Sequence, residues 1–153
     1  MITSLLKIIL FLTFLIIAQN QPHSPWNKGD SSQYKPDNLE IPEYMVDSPI
    51  TRKDLGNYYA EITYMDSLFG KTLDLINEAN KTNNTISIFT SEQGYSFPFG
   101  KWTCYDLGLK TAFIAKWPGK IEPNTRNNAT TQYVDIVPTL LDAIGEDPDK
   151  FNL

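Results

Sequence analysis

The chain has 153 residues, 41% of them hydrophobic and 20% charged, the balance of one globular domain rather than a disordered tail. Its formal net charge of −5, with no basic run, argues against nucleic-acid binding. A single cysteine, Cys104, excludes an internal disulfide and a CxxC metal site, and in an aromatic loop it reads as inert filler or, less simply, a reactive thiol.

In chain order, Lys7 precedes an apolar run from Ile8 to Ala18. Residues 1–18 have the order of a secretory signal peptide, with a cut after Ala18; "FLIIAQNQPH" also reads as the start of a core strand. The run is shorter than a membrane span of about 20 residues, so no stable span is expected. Residues 22–48 carry Pro22, Pro25, Pro36 and Pro42 among Asp, Ser and Asn and read as a long extended loop, of the kind that is functional or disordered. Ser48-Pro49 then opens a helix over about 50–79. Leu55, Tyr58, Tyr59, Ile62, Met65, Phe69, Leu73 and Ile76 recur on one face, with Arg52, Lys53, Glu61 and Lys71 on the other, and Asn80 starts the polar stop. A strand over 85–90, a loop to Gly108, a strand over 110–117 ended by Pro118-Gly119, and a short helix within "YVDIVPTLLDAIG" follow. Helix, strand, strand, helix is the order of an α/β layered domain, although two strands and two helices close no core alone. Sequons at Asn80, Asn83 and Asn128 agree with export but recur by chance in an Asn-rich chain.

The end of the first strand concentrates chemistry: "IFTSEQGYSFPFGKWTCYDLG". Glu92 and Gln93 are hard oxygen donors suited to Ca²⁺ or Mg²⁺, at the strand end where α/β sheets gather their sites; they also fit a solvated turn closed by Gly94. Lys101, among Phe97, Phe99, Trp102 and Tyr105, would act strongly on an anion if drawn from water, or lie along the surface with its ammonium exposed. His23 is the single histidine. Between Pro22 and Pro25 it sits on a stiff segment that could present it to an anionic oxygen or as a general acid, or leave it solvated.

Read together, "PHSPW", "YYAEITYMD", "IFTSEQGYSFPFGKWTCYDLGLKTAFIAKWPGKI" and "YVDIVPTLLDAIG" resemble, in order and spacing, the sulfatase family of the alkaline-phosphatase-like superfamily. The resemblance runs from His23 to Gly145 and is closest to N-sulfoglucosamine sulfohydrolase-like and heparan-type sulfatases. It implies a partial layered α/β domain, a mixed sheet flanked by helices, over residues 19–153. It also implies hydrolysis of a sulfate ester on a small molecule or glycan, and a secreted, periplasmic or lysosomal place. Glu92 and Gln93 stand where the family has Asp followed by His or Asn as Ca²⁺ ligands. Lys101 matches the family lysine, and His23 the family histidine, that contact the sulfate.

The family's nucleophile is a formylglycine made from a C/S-x-P/A-x-R segment, and that segment is missing. Cys104 is followed by "YDLG"; Ser96 has Pro98 but Gly100 in place of Arg; Ser48 has Arg52 but Ile50 in place of Pro or Ala. The chain is therefore expected to be a truncated or split sulfatase domain, inactive alone. The alternative is a catalytically inactive secreted module that binds sulfated ligands or a protein partner. Phosphoryl transfer, known in the same superfamily, fits the "FPFGKWT" segment less well. Oligomeric state is left open by the sequence.

Overall fold

The computed structural model describes residues 14–151. The described residues divide into two compact units, with the boundary between Pro118 and Gly119, and the first holds every candidate site residue. The leader-like residues 1–13 lie outside the described residues; 14–18 have no regular secondary structure, and Phe14, Leu15, Ile16 and Ile17 are exposed. Among the described residues no helix is long and apolar enough to cross a membrane.

The organising element of the first unit is α1, Pro49–Glu78, within a residue of its expected span. Ser48 caps it: its Oγ accepts the Thr51 amide at 3.2 Å, with Pro49 at the first helical position. Its C-terminus closes on Asn80, which takes φ +55°. The Asn80 and Lys81 amides donate to the carbonyls of Asn77 (2.8 Å) and Ile76 (3.0 Å), the pairing of a left-handed helix cap.

Two of the polar-face assignments on α1 are corrected by the structure. Glu61 is 1% exposed, not solvated. Its Oε2 accepts the amides of Lys28 (2.9 Å) and Gly29 (3.0 Å), and this pairing makes the burial of a carboxylate tolerable. The chain can come that close because Gly29 has no side chain: a Cβ there would lie 2.1 Å from the Ala60 carbonyl carbon and oxygen. Arg52 likewise holds chain rather than water. It grips Asp47 bidentately at 2.6 and 2.7 Å and donates to the carbonyls of Pro36 (2.8 Å) and Leu39 (3.1 Å). Residues 22–48 are thus irregular, as expected, but wrapped onto α1, with single 3-10 turns at Ser31–Gln33 and Pro36–Asn38.

After α1 the chain forms β1, Ser87–Thr90, a helical turn α2, Asp106–Leu109, and β2, Phe113–Lys116. The strands pair antiparallel, Ser87 with Lys116 through Thr90 with Phe113. A mixed sheet needs a parallel neighbour, and among the described residues there is none. The connection folds into a closed loop and a single helical turn rather than the crossover that parallel pairing requires, so β2 returns beside β1 in the opposite sense. Both strands are shorter than expected, and β2 is largely exposed rather than buried. Phe69 of α1 meets Phe89 of β1 at 5.2 Å between ring centroids. An apolar groove of about 310 Å³ runs between helix and sheet, lined by residues that include Ile62, Met65, Phe69, Phe89 and Ile114.

The second unit is short. A 3-10 turn at Tyr133–Asp135 leads into α3, Ile136–Ala143. The Gly145 and Glu146 amides close it on the carbonyls of Asp142 and Leu141, both at 2.9 Å.

Met45, Leu55 and Ala60 are the buried hydrophobic side chains of the described residues, so polar anchors carry an unusual share of the order in the first unit. Glu61→Ala is expected to lower the urea-unfolding stability by about 1–3 kcal/mol, the cost of leaving two amides without an acceptor. Lys71→Ala, on the exposed side of the same helix, should change it by less than about 0.5 kcal/mol. Equal effects from the two would remove the anchoring role of Glu61.

Candidate functional site

Three segments meet over the middle of α1: the loop carrying His23, α1 itself, and the loop that leaves β1. Aromatic rings join them. Phe97 stacks on Trp26 with centroids 5.0 Å apart and planes 13° from parallel, and it meets the edge of Tyr58 at 5.6 Å. Trp26 and Tyr58 also meet directly, edge on, at 5.5 Å. Tyr95 stacks on Tyr58 at 5.9 Å. Such pairs each contribute about 0.5–1.5 kcal/mol beyond the area they bury, and Phe97 belongs to three of them.

The loop from Gly94 to Lys101 is closed on itself. The Lys101 amide donates to the Tyr95 carbonyl at 2.9 Å and the Gly100 amide to the Phe97 carbonyl at 3.1 Å. Gly94 sits at φ +65°, and a Cβ there would fall 2.6 Å from the Lys101 nitrogen, so the turn demands glycine for both conformation and space. Phe99 and Trp102 take φ +63° and +70°, a conformation costly for bulky residues that persists only where surrounding contacts impose it. Thr103 supplies part of that constraint, its hydroxyl donating to the carbonyls of Phe99 (2.9 Å) and Gly100 (2.7 Å).

This scaffold brings two of the four candidate residues together. Lys101 Nζ donates to Glu92 Oε2 at 2.5 Å, with the lysine side chain 22% and the glutamate 63% exposed. Lys101 is therefore a half-buried cation and not a freely solvated one. Gln93 is exposed beside Glu92. His23 is exposed on the first loop, where its Nδ1–H donates to the Ser24 carbonyl at 2.6 Å, leaving Nε2 outside that bond. That loop is fixed by Trp26, whose indole N–H donates to the Pro22 carbonyl at 3.0 Å. Trp26 and Phe97 thus tie the His23 loop to the Lys101 loop. Among the described residues, no three His, Cys, Asp or Glu side chains converge closely enough to hold a metal ion. Cys104 is exposed.

Three residues are central to this geometry in roles that the sequence does not signal: Trp26 and Glu61, which stand inside the family motifs without an assigned contact, and Tyr44, which stands in none. Tyr44 reaches across to share a short hydrogen bond between phenol oxygens with Tyr95. Burial pushes the phenols of Tyr58 and Tyr95 above the ordinary tyrosine value, and the bond to Tyr44 adds to the shift at Tyr95.

A profile of the family described as Sulfatase matches residues 13–146. The chain belongs to the sulfatase family. This sulfatase-family chain is 32% identical over 127 residues to an ulvan-active sulfatase of Formosa agariphila, covering 82% of the chain and 21% of that protein. It is 30% identical over 112 residues to human N-sulphoglucosamine sulphohydrolase, covering 71% of the chain and 22% of that enzyme. To human N-acetylglucosamine-6-sulfatase it is 26% identical over 164 residues, 90% of the chain and 30% of the enzyme. The chain thus spans between about a fifth and a third of the length of these curated relatives. No solved structure matches it. The family has an α/β fold of the alkaline-phosphatase type, and the helices and small sheet of the first unit are consistent with part of it.

Because the folded chain keeps Tyr58 and Tyr95 neutral to higher pH than the unfolded chain does, their contribution is complete below the unfolded value of about 10. It declines as pH rises from there through the folded-state values. Urea midpoints measured from about pH 9 to about pH 11 should fall more steeply for wild type than for Tyr58→Phe, which has no proton to lose. Parallel declines would contradict the burial assigned to Tyr58.

Proposed function

We propose that this chain supplies the sulfate-contacting part of a sulfuric ester hydrolase acting on a sulfated small molecule or glycan. The observation that carries the reading is Lys101: a half-buried ammonium, held at the end of β1 by a closed loop whose backbone conformation glycine and aromatic packing impose. A cation on a backbone fixed in this way can exchange a carboxylate for sulfate oxygens without moving the loop, which suits stabilising charge as an ester S–O bond breaks. His23 Nε2 would provide a further contact from the first loop. In the ligand-free arrangement Glu92 neutralises Lys101, so an arriving sulfate competes with a carboxylate for the same ammonium.

Glu92 and Gln93 are proposed as ligands of a calcium ion. They suit it in type, being hard oxygen donors, but two donors fall short of the six to eight such an ion takes. The remainder would have to come from residues other than those described here. A bound calcium would add positive charge opposite the sulfate; the chain's own residues orient the anion and keep part of its surface from water. We further propose an exported setting, secreted, periplasmic or lysosomal, supported by the leader-like order of residues 1–18 and by the exposure of Asn80, Asn83 and Asn128.

The 153 residues hold no C/S-x-P/A-x-R segment, and covalent attack on sulfur has no other evident nucleophile here. The chain alone is therefore proposed to bind sulfate without hydrolysing its esters. That same combination supports a second reading, an inactive module that captures sulfated ligands. Purified chain should give no turnover of 4-nitrophenyl sulfate, while inorganic sulfate shifts the amide resonances of residues 92–101 in wild type and not in Lys101→Ala. Turnover that disappears in Lys101→Ala would overturn the inactivity of the chain. Failure of sulfate to shift those resonances would overturn the sulfate-contacting role.

A further inference from the structure

Glu92 and Lys101 are the two ends of one closed loop, and both ends are anchored. At the first, the Ser91 amide donates to the Ala112 carbonyl at 3.2 Å and the Ala112 amide to Ser91 Oγ at 2.9 Å, so the residue before Glu92 is bonded twice to the segment that leads into β2. At the second, the Lys101 amide donates to the Tyr95 carbonyl at 2.9 Å, and Gly94 approaches so closely that a Cβ there would fall 2.6 Å from the Lys101 nitrogen. Across the mouth of this loop the two side chains close on each other, Nζ to Oε2 at 2.5 Å.

Two anchored groups that face each other have a high effective concentration, set by the loop and not by the solution. The carboxylate is therefore a resident anion on the ammonium that the proposed function assigns to sulfate. Their accessibilities are unequal, 22% for the lysine side chain and 63% for the glutamate. The lysine is drawn in and the glutamate stands in solvent, so the carboxylate is the partner that can swing away, and a pair exposed on one side is held only weakly. Side-chain length sets the reach. The family resemblance puts an Asp at this position, one methylene shorter. Withdrawing the carboxylate by one C–C bond, about 1.5 Å, would take it from hydrogen-bond distance to the limit of ion pairing.

We infer that Glu92 is an autoinhibitory latch: its carboxylate occupies Lys101 in place of sulfate, and the anion binds only when the carboxylate leaves. This deepens the proposed function and rests on it for the anion. A site whose competent form is the open fraction of a closed equilibrium binds with its intrinsic affinity reduced by that fraction. Opening the latch therefore tightens sulfate binding, the reverse of what removing a residue that orients sulfate would do. A role confined to a metal ion would leave sulfate affinity unchanged wherever no metal is present.

The test titrates inorganic sulfate into the full chain in metal-free buffer, followed by the amide chemical shifts of residues 92–101. Glu92→Gln, which keeps the shape and removes the charge, should bind sulfate about threefold or more tighter than wild type. Glu92→Asp, which keeps the charge and loses the reach, should also bind more tightly than wild type. Neither gain should appear when Lys101→Ala is added. Equal affinity of wild type and Glu92→Gln would overturn the latch and leave the sulfate reading standing. A gain in Glu92→Gln with none in Glu92→Asp would also overturn it, since the carboxylate would then act by its charge at a distance and not by contact. A gain that persists with Lys101→Ala would do the same. Absence of sulfate shifts in wild type and in both variants would overturn the sulfate reading and the latch together.

Discussion

The ring of Phe97 is the constraint on which the arrangement of the first unit depends. It lies flat against Trp26 and edge-on to Tyr58, so one side chain joins the His23 loop, the long helix and the Lys101 loop. Neither loop has regular secondary structure to hold its position against the helix. The His23 loop is irregular, the Lys101 loop is a closed turn with two non-glycine residues at positive φ, and fully buried apolar side chains are few. In a thin core of this kind, a handful of aromatic contacts and paired polar groups decide whether the Lys101 side chain has a fixed position or samples many.

Glu61 serves the same end from beneath. A carboxylate buried in α1 would be a liability without partners, and the amides of Lys28 and Gly29 supply them. The result is that the chain segment running from His23 to Gly29 is fixed at its middle by Trp26 against Phe97 and at its end by Gly29 against the helix backbone. The glycine and the glutamate act as one feature, since the carboxylate is reachable only where the chain can pass within contact distance of Ala60. Lys101 and Glu92 then form the charged end of the same structure, each neutralising the other.

Much of this architecture can be read from the residues. The spacing of apolar residues from Leu55 to Ile76 and the Ser48-Pro49 start define α1 nearly to its ends, because capping and periodicity are local. The strand after it and the short helix near Val137 are legible for the same reason, and the linked motifs from His23 to Gly145 identify the family. What resists reading is non-local. Glu61 carries a charge at a position that periodicity assigns to solvent, and only the approach of Gly29 from far along the chain buries it. Arg52 looks like a surface cation until the carbonyls of Pro36 and Leu39 are placed around it. The pairing sense of β1 and β2 depends on how the intervening loop closes, which rests on Gly94, Phe99 and Trp102 adopting left-handed backbone. Tyr44 has no motif at all, and its bond to Tyr95 joins residues 51 positions apart in the chain.

The central claim is that Phe97 presets the loop bearing Lys101. Hydrogen exchange at the Lys101 amide measures this directly, because that amide is protected only while it donates to the Tyr95 carbonyl. Phe97→Ala should accelerate its exchange by about tenfold or more while amides in the middle of α1 stay protected. Unchanged protection at Lys101 in Phe97→Ala would mean that the loop holds itself, and that the aromatic junction does not position the lysine.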